Sequence, residues 1–179
     1  KSCKASCRSR PLSCAASAPT AISPSAGLEG VITSLVTASD HHFAWMLGEA
    51  GGPAGLRLPE GGVESQEVLR ALRGLVHSWL MIWDGEVVGL CSYMGRIEEG
   101  AVEIGYGVAP ARRRLGHATL AVSALIRAAS DDPRLRRLTA ETAVGNAASQ
   151  IVLSRNGFQQ TGHRLDPDDG ELILWSLDL

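Results

Sequence analysis

The stretch from Val102 to Ala129 constrains the fold more than any other part of this chain. Between Val102 and Val108, apolar residues alternate with one carboxylate and two glycines, and this period of two predicts a strand. Pro110 ends the strand, because proline has no N–H for a ladder. Three arginines follow, and Gly116 then opens a run rich in Ala and Leu that predicts a helix. The order is therefore strand, basic turn and helix.

The turn between this strand and this helix has the chemistry of an anion site. The first N–H groups of a helix lack intrahelical acceptors and carry the positive end of the helix dipole. Gly116 lets an anion approach the backbone, and the arginines at 112–114 offer forked donors that suit phosphate oxygens. The residues alone allow two interpretations, a pyrophosphate site or a solvated basic turn before a core helix.

Two motifs favour the pyrophosphate site through their resemblance to a known family. Residues 113–118, RRLGHA, resemble the acetyl-CoA signature of the GCN5-related N-acetyltransferase (GNAT) superfamily, Gln/Arg-x-x-Gly-x-Gly/Ala. The segment from Asn146 to Phe158, NxxSxxVLxxxGF, is similar to a hallmark of one branch, the RimJ/RimL-like acetyltransferases of ribosomal-protein N-termini. The resemblance extends from Ile32 to the C-terminus.

The periodicities predict an α/β fold. We expect a mixed, mostly antiparallel central sheet with helices on both faces, which agrees with the acyl-CoA N-acyltransferase fold of the superfamily. The resemblance further implies that the central strands splay and that the cofactor's pantetheine lies in the gap. The predicted strands cover 30–38, 78–83, 86–94, 102–108, 135–144, 158–165 and 171–177, and the predicted helices cover 41–49, 64–75, 116–129 and 147–155.

Composition favours one domain preceded by a leader. Residues 1–26 are rich in Ser, Ala, Pro and Cys and contain basic but no acidic residues. They are predicted to be a disordered leader or a tag remnant, with a transit-type segment as the alternative. Residues 27–179 are predicted to form a single N-acetyltransferase domain. The formal net charge of −2 gives no basis for general nucleic-acid binding, and no apolar run approaches a membrane span.

The resemblance implies that acetyl-CoA is the co-substrate. Backbone N–H groups of the basic turn would hold its pyrophosphate, and a backbone N–H near Val108 would stabilise the developing oxyanion. Asn146 would contact the pantetheine, cap the following helix, or do both. No metal is predicted, because the cysteines show no zinc-site spacing. The predicted cofactor-binding residues are Val108, Arg113, Arg114, Leu115, Gly116, His117, Ala118, Thr119 and Asn146.

The predicted catalytic residues are Glu103, Glu141 and Ser149. Most amines are protonated near neutral pH, and a nearby carboxylate can accept the proton directly or through water. Glu103 and Glu141 both fall inside predicted strands, and either can be that base or a structural ion-pair partner. Many superfamily members place a tyrosine in the last helix to protonate the departing thiolate. The matching position here is Leu153, so Ser149 or water would supply the proton.

The predicted function is transfer of an acetyl group from acetyl-CoA to a primary amine by direct attack in a ternary complex. The acceptor is a peptide or protein N-terminus or a small-molecule amine. The alternative is a catalytically weak acetyl-CoA-binding sensor or assembly module. We expect a cytoplasmic monomer or homodimer without nucleic-acid or membrane partners, and the basic leader leaves organellar targeting open.

Overall fold

The computed structural model describes residues 34–75 and 77–179. The predicted leader, and the first part of the strand predicted over 30–38, lie outside these ranges. Within them, seven strands and four α-helices follow one another in the predicted order. The strands are β1 Ser34–Thr37, β2 Ser78–Trp83, β3 Glu86–Tyr93, β4 Ala101–Val108, β5 Arg137–Ala143, β6 Gln159–Asp166 and β7 Gly170–Asp178. The helices are α1 Asp40–Met46, α2 Gln66–Arg73, α3 His117–Ser130 and α4 Ala147–Arg155, and a 3-10 turn spans Pro110–Arg112.

The strands form one sheet in the order β1-β2-β3-β4-β5-β7-β6. Every neighbouring pair is antiparallel except β4 and β5, which are parallel. The ladder between β4 and β5 contains only three pairs and ends at Glu103 opposite Thr139. Beyond this point the two strands separate, so the sheet has a wedge-shaped opening at its centre. The mixed, mostly antiparallel sheet predicted from the sequence is confirmed.

Local sequence signals explain where the elements begin and turn. Asp84 and Gly85 both have positive φ, 47° and 69°, as the two-residue turn between β2 and β3 requires. The side chain of Ser65 accepts a hydrogen bond from the N–H of Val68, so α2 begins at Gln66 and not at the predicted residue 64. At the other end of the chain, Gly157, with φ of 86°, ends α4 in the predicted left-handed manner.

Each face of the sheet carries a separate hydrophobic core. One core contains α3 and α4 and includes the fully buried Leu125 and Leu153. The second core lies beneath α1 and α2 and includes Phe43 and Leu69. Helices therefore cover both faces, and the opening between β4 and β5 lies between the two cores. Within the described ranges, no helix is long and apolar enough to cross a membrane.

Candidate active site

A cavity of about 670 Å³ lies at the opening between β4 and β5. Its wall includes β3 and β4, the end of β5, the start of α4, and α2 together with the residues just before it. Predicted site residues Glu103, Glu141 and Asn146 all border it. The wall passes Asn146, Ala147 and Ala148, and Ser149 lies one residue further along α4. The structure thus brings both predicted carboxylates to one cavity, whereas Ser149 is not part of its lining.

The turn before α3 has an open backbone. Gly116 is the N-cap of this helix of 14 residues and has a φ of 86°, a left-handed conformation that favours glycine. A Cβ atom built on Gly116 would meet no atom within 4 Å, so space for a ligand lies directly above the turn. Arg114 also has a positive φ, 65°, and Leu115 is 51% exposed. The first N–H groups of α3, from His117 to Thr119, follow this open turn and suit a pyrophosphate.

The three arginines of the turn have different environments. Arg112 binds the carboxylate of Glu86 with two donors, at 2.6 and 3.1 Å, so its fork is already occupied. Arg113 donates from Nε to the carbonyl of Val108 at 3.1 Å. Arg113 and Arg114 are exposed, which leaves these two side chains on the surface of the turn. The prediction that Arg113 or Arg114 adds charge at the pyrophosphate site stays a prediction.

His117 contributes to the turn through its backbone alone. Its side chain is 1% exposed, and the ring lies 5.5 Å from the ring of Trp83, measured between centroids. Burial lowers the pKa of this histidine, followed by the charge of Arg112, so the ring is neutral near pH 7. The prediction that His117 binds the cofactor therefore applies to its backbone N–H, because its ring lies in the core.

The N–H of Val108 faces the opening in the sheet. The N–H of Ala109 donates to the carbonyl of Val88, and the N–H of Met94 donates to the carbonyl of Glu103. Antiparallel pairs alternate between bonded and non-bonded, and Val108 lies opposite Gly89 in a non-bonded pair. Its N–H consequently points away from β3, beyond the last pair of the ladder to β5. This position suits the predicted oxyanion donor.

The start of α4 is joined to β4 across the opening. The side chain of Asn146 accepts a hydrogen bond from the N–H of Ser149, which confirms Asn146 as the helix cap. The hydroxyl of Tyr106 donates to the carbonyl of Ser149 at 3.1 Å. Leu153, at the position where the resemblance would place a tyrosine, is fully buried in the core. Tyr106 is thus a phenol on the cavity wall, contributed by a strand and not by the helix.

The two carboxylates have different partners. Arg164 donates hydrogen bonds from Nε and Nη2 to the carboxylate of Glu141, and its Nη1 donates to Asp166 at 2.7 Å. Glu103 reaches solvent in the cavity and also borders a second cavity of about 630 Å³, formed mainly by residues 94–103. The pKa of Glu103 is raised to about 7: partial burial in the cavity is the main cause, the charge of Glu141 adds to it, and the charge of Arg164 opposes both. Glu103 therefore has the proton affinity of a base near neutral pH.

The two glycines of β4 make room for neighbouring side chains. A Cβ on Gly105 would lie 2.5 Å from the sulfur of Met94, and one on Gly107 would lie 3.0 Å from a carboxylate oxygen of Glu64. Met94 and Glu64 lie against these glycines, and both side chains border the cavity together with Gly105 and Gly107.

An open turn at a helix N-terminus, a split sheet and a carboxylate of raised pKa are the features that the structure offers for chemistry. The acetyltransferase (GNAT) domain family matches residues 63–159, more than half of the chain. The chain belongs to this family and is an acetyl-CoA-dependent N-acetyltransferase, as the sequence predicted. Among the described residues, no group of three His, Cys, Asp or Glu side chains is placed to hold a metal ion.

Several solved structures share the fold. A probable acetyltransferase is 29% identical, with 56% of this chain and 60% of that chain aligned and a TM-score of 0.53. RimL, a ribosomal L7/L12 alpha-N-protein acetyltransferase in complex with coenzyme A, is 19% identical over 82% of this chain and 94% of its own, with a TM-score of 0.64. The aminoglycoside acetyltransferase AAC(6')-Ib in complex with paromomycin and acetyl-CoA is 18% identical, covering 82% and 93%, with a TM-score of 0.60. Among curated proteins, no sequence matches this chain significantly.

Proposed function

We propose that this chain acetylates a small amine that carries more than one positive charge. The charge of the cavity wall is the observation that carries this proposal. Four carboxylates, from Glu64, Glu103, Glu141 and Asp169, border the cavity together with one cation, Arg164. Arg164 is bound to Glu141 and to Asp166, so its single positive charge is shared between two carboxylates and the wall as a whole stays negative. A wall with this excess of negative charge attracts cations and holds a second ammonium group while the first reacts.

Glu103 is the proposed base for the reacting amine. When bound, acetyl-CoA supplies an acetyl group on a thioester whose sulfur can depart as a thiolate. The carboxylate of Glu103 accepts a proton from the amine, directly or through water, as the nitrogen attacks the carbonyl carbon. The N–H of Val108 stabilises the oxyanion, and the turn from Arg113 to Thr119 holds the phosphates. Glu141 stays in its ion pair with Arg164, and its negative charge helps to raise the pKa of Glu103.

The likeness to solved structures gives chemical precedent for such an acceptor. The relative that holds paromomycin binds an amine-rich sugar, and the relative RimL is named for a protein N-terminus. A free N-terminus with neutral neighbours carries one positive charge, whereas the wall described above presents several carboxylates. The charge of the wall therefore favours the multiply charged small molecule over the peptide.

A matched pair of acceptors tests this proposal. The kcat/KM of an aliphatic diamine is compared with that of the same diamine acetylated at one end, which keeps one reactive amine and loses one charge. We expect the diamine to be better by about tenfold at low ionic strength, with the difference shrinking as salt screens the wall. Glu64→Gln should reduce kcat/KM for the diamine more than for its monoacetylated form.

Two results would refute the multiply charged acceptor. One is equal kcat/KM for the two matched acceptors at all salt concentrations. The other is a neutral peptide with a free N-terminus reacting faster than any diamine, polyamine or aminoglycoside in the panel, which would favour the protein N-terminus. Free CoA release with every amine at the rate of the amine-free control would contradict transfer itself.

A further inference from the structure

Glu86 is a buried carboxylate that the chemistry described above does not use. It is the first residue of β3 and is 3% exposed. Arg112 donates to both of its oxygens, and Arg57 donates to one of them from Nε at 3.2 Å. The hydrogen bonds from Arg112 are the main reason that the pKa of Glu86 lies below its usual value. Glu86 is therefore an anion near neutral pH, and its burial requires both guanidinium partners.

The first partner, Arg112, belongs to the cofactor side of the site. It ends the 3-10 turn Pro110–Arg112, and its N–H donates to the carbonyl of Ala109 at 2.8 Å. The next four residues form the open turn that leads to α3. Fixing the side chain of Arg112 on Glu86 consequently fixes the point from which that turn leaves β4.

The second partner, Arg57, belongs to the acceptor side. Its N–H donates to the carbonyl of Gly85 at 2.9 Å, and its carbonyl accepts from the N–H of Val87 at 3.0 Å. These two hydrogen bonds attach the segment between α1 and α2 to the β2–β3 turn. The same segment continues to Val63 and Glu64, which border the cavity. The side chain of Arg57 thus joins this part of the cavity wall to the carboxylate that holds Arg112.

We propose that Glu86 is a positioning residue that couples the cofactor turn to the acceptor wall. Through Arg112 it orients the turn that holds the phosphates, and through Arg57 it orients the segment that leads to Val63 and Glu64. Each substrate then binds more tightly when the other is present, because both depend on the same three-residue network. The coupling does not depend on which amine is the acceptor.

Calorimetric titration with free CoA tests the cofactor side without turnover. We expect Glu86→Gln and Arg112→Gln to weaken CoA binding by about fivefold or more, within the usual range for coupled sites. Arg57→Gln should weaken CoA binding by a smaller factor, although Arg57 lies in the other segment. The same variants should raise KM for the amine while kcat at saturation of both substrates changes less than KM does.

A double-mutant cycle separates coupling from simple loss of stability. In the wild-type background Arg57→Gln should change the Kd for CoA, and in the Arg112→Gln background it should change it little, because the connection is already broken. Glu86→Asp keeps the charge and should recover part of the CoA affinity that Glu86→Gln loses. The matched control is Arg137→Gln, which removes a 2.7 Å ion pair to Asp178 away from the cavity and should leave Kd unchanged.

The proposal is overturned if Glu86→Gln lowers Tm while the Kd for CoA and both KM values stay at wild-type levels. It is equally overturned if the effects of Arg57→Gln and Arg112→Gln on Kd add without interaction. The second result decides the question even if Glu86→Gln does not fold, because it needs only the variants of Arg57 and Arg112, two partly exposed side chains, with the folding of each variant checked by its Tm.

Discussion

Replacing Glu103 by Gln tests the assignment of the base. The pKa of this carboxyl is raised to about 7, mainly by loss of surrounding water and then by the charge of Glu141. With that pKa, about one-eleventh of the carboxyl is ionised at pH 6 and about ten-elevenths at pH 8, so the available base rises roughly tenfold across this range. Gln has nearly the same shape and cannot accept the proton.

The assay measures kcat/KM from pH 6 to pH 8 for the wild type and Glu103→Gln with the same amine. Deprotonation of the free amine affects both enzymes equally, so it cancels in the ratio of the two values. We expect this ratio to rise about tenfold with pH and to level off at roughly 10²- to 10⁴-fold, the usual contribution of one general base. Affinity for CoA should change little, since only proton transfer is lost.

Glu141→Gln provides the matched control. Removing its charge removes a cause that raises the pKa of Glu103 and leaves Arg164, which lowers it. The rising limb should therefore move to lower pH while the plateau rate stays within about tenfold of the wild type. A ratio for Glu103→Gln that is flat with pH would refute the assignment, and a full loss of rate in Glu141→Gln alone would transfer the role of base to Glu141.

Three further substitutions test other parts of the site. Gly116→Glu should abolish the rise in Tm that acetyl-CoA causes, whereas Gly116→Asn, which tolerates a positive φ and adds no charge, should retain part of it in thermal-shift assays. Ser149→Ala should lower kcat less than tenfold, because the backbone carbonyl that accepts from Tyr106 remains. The rate should stay flat at high pH, and an alkaline fall in rate that Tyr106→Phe abolishes would contradict this. Leu153→Ala should lower the free energy of unfolding by about 2–5 kcal/mol in denaturant titrations, and a smaller loss would show that the site is not packed.

The sequence was sufficient to predict the order of the elements, because each had a local signal. Alternation marked β4, and a two-residue turn marked the β2–β3 hairpin. Asn146 and Gly157 marked the two ends of α4. These signals depend on backbone preferences over a few residues, which the chain order preserves. Exact ends were harder, since a cap such as Ser65 moves the start of a helix by one or two positions.

Contacts between distant segments could not be predicted in this way. The ion pair between Arg164 and Glu141 joins residues 23 positions apart. Because of this pair, the candidate carboxylates Glu141 and Glu103 have different partners. Met94 over Gly105 depends on how closely β3 and β4 pack, which alternation does not report. Likewise, no local pattern separates His117 from its exposed neighbours in the turn, although its ring is buried against Trp83. Each of these facts arises from tertiary packing and has no local pattern.

The short ladder between β4 and β5 has a consequence for amide hydrogen exchange. The N–H of Gly107 faces β3 within a continuous ladder, whereas the N–H of its neighbour Val108 faces the wedge beyond the last pair with β5. Two adjacent amides in one strand should therefore exchange at very different rates in the unliganded protein, with Val108 the faster. Saturating CoA should slow Val108 selectively, so that this single amide reports whether the gap in the sheet is filled.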